Sequence, residues 1–289
     1  MFKNAMIYRA SSAPTYHLGL DTFVPCGATQ EHSVGFVPPR GEEHGELIEI
    51  VAGQTILKLM AEVKAVPSEM IARKSAELAK EIEHSTGRKP GKKEMKEIKE
   101  GVKLALLPHA FPKRYTTLVM FTSDGFLVID ASSQAKADEA ITMLVRSFDG
   151  LTVTLVNTNQ SPVTAMAHWL IEQEPPAGFS IDRECELKAS DESKAVVKYG
   201  RHPLDIDEVR THVQGGKLPT KLALTFDGRV SFVLTDSMAL KKVEFLDIVF
   251  EDQADNEADA FDADVAIVSG ELRPLLKELI EAMGGEMAA

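Results

Sequence analysis

The sequence predicts an α+β protein with mainly antiparallel sheets, packed helices and a protruding basic helical hairpin. Pairs of β-rich runs meet across Ser123-Asp124-Gly125 and again across Asp227-Gly228. An Asp-Gly turn between two such runs is typical of a β-hairpin. Segments whose apolar residues follow helical spacing come after these hairpins in both halves of the chain. Hairpin-built sheets with separate helices indicate the α+β class.

Strands and loops are predicted for the first 66 residues. Ala5–Ala10 is a short apolar run that predicts a strand, whereas Pro25-Cys26-Gly27 and Pro38-Pro39 mark a loop-rich stretch. Apolar residues occupy alternate positions in Leu57–Ala65. This period of two predicts a further strand, because successive side chains of a strand point to opposite faces.

The helical hairpin is predicted at residues 67–108. Pro67 opens its first helix, and Thr86-Gly87 with Pro90-Gly91 breaks that helix. The second helix runs from Lys92 to Leu107, and Pro108 ends it. Two helices joined by so short a connection are typical of an αα-hairpin.

The remaining elements are read from the same two periodicities. In chain order, strands are predicted at Tyr115–Thr122, Phe126–Ala131, Leu151–Val156, Phe179–Lys188, Ala195–Tyr199, Leu222–Phe226, Val230–Thr235, Leu240–Val249 and Val265–Ser269. Helices are predicted from Ser132 or Ser133 to Phe148, and at Pro162–Glu172, Ile206–Val213 and Glu271–Met283, with a solvated acidic stretch at Glu251–Asp259. We divide the chain into an N-terminal α+β region (1–66 and 109–160), the inserted hairpin (67–108) and a C-terminal α+β region (161–289).

Composition excludes several classes of protein. The 289 residues include 32 Lys plus Arg and 44 Asp plus Glu, a net charge of −12, and 44% are hydrophobic, which excludes overall disorder. Two cysteines cannot build a disulfide framework. The first ten residues do not form a signal peptide, and no apolar run approaches the roughly 20 residues that span a bilayer. We therefore expect a cytoplasmic protein without a membrane partner.

Charge is distributed unevenly along the chain. Residues 64–114 contain thirteen basic residues and seven Glu, a local excess of +6. From Glu244 to Glu271 there are ten acidic residues and no Lys or Arg. A uniformly basic nucleic-acid binder is excluded, but such a chain can present a basic surface on an acidic molecule.

Catalytic signatures are missing from the sequence. It contains no dinucleotide fingerprint, nucleotide P-loop, hydrolase elbow or zinc-protease motif. Gly87–Lys93 resembles a P-loop only faintly, since Lys93 replaces the Ser or Thr that a P-loop requires. Asp255, Glu257 and Asp259 alternate as in a calcium loop, but Ala260 stands where the turn glycine is needed. We predict no catalytic residue, no metal site and no cofactor.

Basic residues at turns and strand ends are the better candidates for a binding site. Lysine and arginine at such places can reach phosphates without burying their charge. The candidates are Lys113, Arg114, Lys198, Arg201, Lys217 and Lys221, together with the neighbouring aromatic Phe111. A solvated surface explains the same cations. Phe111 either contacts bases and sugars or caps the core under Pro108 and Pro112.

Several blocks in order along the chain resemble the RdgC family of recombination-associated proteins. They are Lys3–Arg9, Pro25-Cys26-Gly27, Gly35–Pro39, Leu106–Phe111, Thr220–Leu224, Phe261–Asp264, Ser269–Leu272 and Gly284-Gly285-Glu286. No block is a strong motif alone, but together they span nearly the whole chain. The match is weakest in 71–101 and 189–209.

This resemblance implies a ring-shaped homodimer of horseshoe subunits that encircles duplex DNA. The family binds double-stranded DNA without sequence preference and restrains RecA-promoted strand exchange, and it has no known catalytic activity. Single-stranded DNA is a second candidate ligand, and the location implied is the nucleoid. Arg201 and Lys217 fall where the family places lumen-facing basic residues. The DNA contacts expected are Phe111, Lys113, Arg114, Lys198, Arg201, Lys217 and Lys221, and reversing the charge of Lys217 and Lys221 is expected to weaken binding.

Two other functions are considered. The acidic stretch Glu244–Asp264 motivates a protein-binding regulator of recombination or replication whose DNA contact is incidental. A metal-dependent nuclease would use acids such as Asp262 and Asp264. The predicted strand places those two side chains on opposite faces, which disfavours a shared metal site.

Overall fold

The computed structural model describes residues 2–11, 19–250 and 260–287. The strands are β1 (Met6–Ala10), β2 (His32–Val37), β3 (Ile48–Val51), β4 (Gln54–Lys64), β5 (Pro112–Phe121), β6 (Phe126–Ile129), β7 (Val153–Leu155), β8 (Phe179–Ala189), β9 (Val196–Gly200), β10 (Lys217–Phe226), β11 (Val230–Thr235) and β12 (Leu240–Phe245). The helices are α1 (Ser68–Thr86), α2 (Lys92–Leu106), α3 (Gln134–Ser147), α4 (Pro162–Glu172), α5 (Asp207–Gln214) and α6 (Ala260–Ala282). The predicted α+β class is confirmed. None of the helices in the described ranges combines the length and the apolar character that a membrane-spanning segment requires.

The chain divides into two compact units. The larger unit comprises the described residues of 1–18, 38–57 and 117–289, and the smaller unit comprises 19–37 and 58–116. Strands β4 and β5 therefore each contribute residues to both units. This division follows spatial contacts, whereas the division into three regions predicted above remains a prediction.

The larger unit contains two groups of antiparallel strands. In the first, β1 pairs with β6 on one side and β7 on the other, β6 pairs with the end of β5, and β3 pairs with the start of β4. The second is a five-stranded sheet with the order β12-β11-β10-β8-β9. Ala5 and Leu240 join the two groups through reciprocal backbone hydrogen bonds of 2.8 and 2.9 Å.

One face of the five-stranded sheet belongs to the hydrophobic core. One row of almost fully buried residues crosses four neighbouring strands, each residue opposite the next: Cys185, Leu222, Leu234 and Leu240. Helices α4 and α5 pack against β10, and α6 contributes Leu272, Leu275 and Leu279 to the same core. Alternate residues of these strands must consequently lie on the opposite face, which we call the outer face.

The smaller unit contains both basic helices. Strand β2 pairs with the second part of β4, from His32 opposite Val63 to Val37 opposite Lys58. Helices α1 and α2 contact each other and are joined by residues 87–91. Gly87 ends α1 with a φ of 73°, a conformation that glycine adopts without steric cost. Both predicted helices and the break between them are confirmed.

Two predicted strands are wrong or too long. Val265–Ser269 is helical and forms part of α6, whose apolar residues recur every three or four positions. A short buried apolar run suits a strand or a helix equally, and the packing of α6 on the core decides for the helix. The strand predicted at 240–249 ends at Phe245 and a 3₁₀ turn follows at Asp247–Val249. The predicted solvated stretch 251–259 lies outside the described residues.

Candidate nucleic-acid interface

A row of alternating charges crosses the outer face of the five-stranded sheet. Glu186 of β8 lies opposite Lys198 of β9 on one side and opposite Lys221 of β10 on the other. Its Oε2 is 3.1 Å from Lys198 Nζ and 3.0 Å from Lys221 Nζ. Strand register therefore brings together two predicted DNA contacts that are 23 residues apart in the chain.

Two further lysines extend this row on β12. Lys241 Nζ donates a 2.8 Å hydrogen bond to the carbonyl oxygen of Ser132, and Lys242 Nζ is 2.7 Å from both carboxylate oxygens of Glu184. Together the residues line an open cavity of about 420 Å³. We call this group the sheet lysine cluster. Its members are Lys198, Lys221, Lys241 and Lys242, with Glu184 and Glu186 between them.

A β-bulge explains how consecutive lysines reach one cavity. Val233 lies opposite Lys241 and Ser231 lies opposite Glu244, so β12 has one more residue than β11 in this interval. Lys242 lies in this bulge and has a left-handed backbone conformation, with a φ of 51°. A bulge re-aims side chains that plain alternation would send to opposite faces. Both ammonium groups therefore join the cluster.

Electrostatics stabilise the charged form of Glu186. The hydrogen bond from Lys221 is the largest cause that lowers the pKa of Glu186 to about 2, and hydrogen bonds from Lys198 and Thr220 act in the same direction. Burial lowers the pKa of Lys241 by disfavouring its charged form. With four lysines and two glutamates, the cluster keeps a net charge of about +2 at neutral pH.

Lys217 and Arg201 lie apart from the cluster. Lys217 Nζ is 2.9 Å from His212 Nδ1 on α5, the helix whose Val209 and Val213 are buried in the core. Arg201 follows β9 directly, is exposed and has a φ of 55°. Among the described residues its guanidinium makes no ion pair.

Arg114 of the smaller unit is engaged by a buried acid. Its Nε lies 2.7 Å from Glu62 Oε2, and Glu62 is only 1% exposed. The backbone N–H of Cys26 donates to the other oxygen of Glu62 at 2.8 Å. The hydrogen bond from Arg114 is the largest cause that lowers the pKa of Glu62 below its usual value, and the hydrogen bond from Cys26 acts in the same direction. Arg114 thus neutralises a buried carboxylate while its side chain stays 53% exposed.

Phe111 is 91% exposed, so the interpretation that it caps the core is wrong. It lines a mainly apolar cavity of about 660 Å³ together with Val66, Met70 and Leu106. Exposed Lys113 lines the same cavity and has no ion pair among the described residues. An aromatic ring beside an unpaired ammonium suits a nucleic-acid ligand, and it equally suits an apolar contact with protein.

Several cations of the two basic helices and of the connection between them form ion pairs. Ion pairs join Lys74 to Glu77, Arg88 to Glu94, Lys89 to Glu83, Lys96 to Glu100 and Lys103 to Glu31. Most of these side chains are well exposed, and such surface pairs are weak. Four of the five glutamates are already counted in the excess of +6, so these pairs leave that excess unchanged, and only Glu31 lies outside residues 64–114.

The acids considered for a nuclease lie on helix α6. Asp262 Oδ1 accepts a 2.6 Å hydrogen bond from Arg40 Nη2, which also contacts Glu49. The premise that Asp262 and Asp264 share a strand is wrong, but residues two apart on a helix do not face each other either. Across the part of the chain that the structure describes, no three His, Cys, Asp or Glu side chains gather as a metal site would require.

Comparison with known proteins decides the family. A family model described as "RdgC: Putative exonuclease, RdgC" matches residues 1–286. The chain belongs to the RdgC family. Proteins named "Recombination-associated protein RdgC" are 43% identical to it in Cupriavidus pinatubonensis (100% of this chain and 99% of the relative), and in Bordetella pertussis (99% and 98%). The resemblance stated from the sequence blocks is confirmed.

The names within the RdgC family differ on activity. The family model's description mentions an exonuclease, whereas the relatives are named for recombination. This RdgC chain is accordingly placed among recombination-associated proteins, and neither name assigns a reaction to a residue.

Sequence reasoning missed half of the sheet lysine cluster in this RdgC chain. Lys241 and Lys242 are consecutive near the start of the strand predicted at 240–249, just before the acidic residues of Glu244–Asp264. Consecutive lysines at a strand start were the available signal. Their partners Glu184 and Ser132 are more than 50 residues distant in sequence, so only the fold could supply the pairing.

Proposed function

We propose that this chain binds double-stranded DNA without sequence preference as a ring-shaped homodimer of horseshoe subunits, and restrains RecA-promoted strand exchange. The sheet lysine cluster is the observation that carries this proposal, because four ammonium groups gathered on one face of a sheet suit a phosphate backbone. Membership of a recombination-associated family supports the same function.

The proposed DNA contacts are one aromatic ring and a set of basic residues. They are Phe111, Lys113, Arg114, Lys198, Arg201, Lys217 and Lys221, to which we add Lys241 and Lys242. A lumen lined by these cations inside a molecule of net charge −12 would attract the DNA backbone while the acidic exterior discourages other attachment. Phosphate contacts of this kind need no base readout. We propose that residues 67–108 form an inserted helical hairpin. We also propose that the protein is located in the cytoplasm, at the nucleoid.

We further propose that the function is not enzymatic. Binding and encirclement use positioned charge alone and require neither a cofactor nor a nucleophile. The competing functions are a nuclease, favoured by the wording of the family description, and a protein-binding regulator, favoured by the acidic residues after β12. Each competitor predicts a different result in the experiment below.

Duplex binding as a function of salt, with the mass in solution recorded alongside, tests the proposal. About six phosphate contacts predict that log affinity falls against log salt with a slope near −5. We expect a dimer with this slope and equal affinity for two unrelated sequences. A monomer without binding at low salt would contradict the ring and favour the protein-binding regulator.

Two additions make the same titration more informative. Shortening of the duplex in the presence of Mg²⁺ would contradict the non-enzymatic proposal, and intact DNA supports it. Charge reversal at Lys217 and at Lys221 is made separately, since Lys217 contacts α5 and Lys221 contacts Glu186. Exposed Lys277 of α6 supplies a control reversal of equal net charge.

A further inference from the structure

Three of the four lysines in the sheet lysine cluster are already bound by carboxylates. Glu186 contacts Lys198 and Lys221 at 3.1 and 3.0 Å, and Glu184 holds Lys242 at 2.7 Å. Both glutamates lie on β8, between β9 and β10 in the sheet. A phosphate that approaches these ammonium groups therefore meets fixed negative charge at the same place.

The carboxylates are less able to withdraw than the lysines. The Glu186 side chain is 19% exposed, whereas the Lys198 side chain is 71% exposed. Glu186 Oε1 also accepts a 3.0 Å hydrogen bond from Thr220 Oγ1, which fixes the group on the sheet. An ammonium has three donors, so each lysine can contact a phosphate oxygen and still keep its glutamate. The phosphate is then repelled by the carboxylate that remains.

We propose that Glu184 and Glu186 are affinity-limiting residues that weaken the contact between the sheet lysine cluster and DNA phosphates. This inference rests on the proposed DNA-binding function. The two carboxylates reduce a charge of +4 to +2 at the surface that meets the backbone. A weaker electrostatic contact exchanges phosphates readily, and such exchange lets a protein slide along a duplex.

Glu186→Gln tests the inference with little change of shape. Glutamine keeps an oxygen that can accept the Thr220 hydrogen bond but removes the negative charge. We expect the variant to bind a duplex of arbitrary sequence about fivefold more tightly at low salt, because one like-charge repulsion is removed. The slope of log affinity against log salt concentration should become more negative by up to about 0.9 for each additional phosphate that is fully neutralised.

Glu278→Gln is the matched control. Glu278 is exposed on α6, makes no ion pair with any described residue, and its substitution changes the net charge equally. It should alter duplex affinity by less than about twofold, since exposed charges far from a site are screened. The comparison separates the local effect from the effect of net charge.

The outcomes separate the inference from the proposed function. A wild-type chain that does not bind duplex DNA overturns both. A wild-type chain that binds, with a Glu186→Gln variant that binds no more tightly than Glu278→Gln, overturns the inference alone. Tighter binding by Glu186→Gln supports it. If Glu186→Gln does not fold, the same comparison is made with Glu184→Gln. The Glu184–Lys242 pair is more exposed than the pairs of Glu186, so its loss perturbs the fold less.

Discussion

At the scale of single residues, the same pattern of an acid beside exposed cations occurs in both units. Glu186 lies between Lys198 and Lys221, and Glu62 is paired with Arg114. The sequence suggested the cations as isolated candidates for phosphate contact. Their acidic partners lie on neighbouring strands, so the local electrostatics could not be read from sequence spacing.

Acid should weaken the fold through Glu186. The pKa of this group is about 2 in the folded chain and 4.5 in an unperturbed one, so its contribution is complete above pH 4.5 and is lost as the pH falls toward 2. The contribution is on the order of 2 kcal/mol, reduced by the exposure of its partners. Urea unfolding at pH 7 and pH 3 should show the stability gap between wild type and Glu186→Gln shrinking in acid. A difference in unfolding free energy that does not change with pH would contradict the ion pairs of Glu186. Glu278→Gln, which removes an exposed charge that pairs with no described residue, serves as the control.

At the scale of elements, most helices and strands follow local chemistry, and α6 is the clearest exception. Apolar spacing, Pro67 and Gly87 were enough to place α1. In α6 the helix continues through Gly270 and Pro274, which normally weaken or end a helix. Burial of Leu272, Leu275, Leu276 and Leu279 supplies the compensating stability. Tertiary packing therefore overrode the local signal there.

Gly35 gives a test at this scale. A Cβ on Gly35 of β2 would lie 2.5 Å from the backbone nitrogen and Cα of Phe23. Because backbone atoms cannot give way, Gly35→Ala should destabilise the smaller unit by about 3 kcal/mol. Gly101 of α2 has open space around its Cβ position, and Gly101→Ala should stabilise by up to about 1 kcal/mol. Urea unfolding of both variants measures the contrast, and equal effects would contradict the close approach of residues 22–23 to β2.

At the scale of the whole molecule, the proposed ring makes a prediction that a simple cationic surface does not. A closed ring cannot leave circular DNA without opening, whereas it can slide from the end of a linear duplex. The electrostatic contacts themselves weaken by about a thousandfold or more between 50 and 200 mM salt. Retention after such a wash would thus report topology rather than affinity.

We expect the chain, loaded at low salt on equal masses of circular and linear duplex, to remain on the circle after the wash and to leave the linear molecule. Cutting the circle with a restriction enzyme should release the retained protein. Equal loss from both substrates would contradict encirclement while leaving DNA binding intact. Sedimentation of protein with DNA is a sufficient measurement.

The amino-acid sequence by itself determined the α+β class, the two basic helices and their break, and the family. These properties depend on local periodicity, on turn residues such as Asp227-Gly228, and on blocks of neighbouring residues. Only the tertiary structure decided which cations share a surface. Strand register and a bulge at Lys242 brought residues from β8, β9, β10 and β12 around one cavity, and Lys217 was placed beside α5 instead. The physical reason is that sheet pairing joins residues far apart in the chain, where no local pattern records the contact.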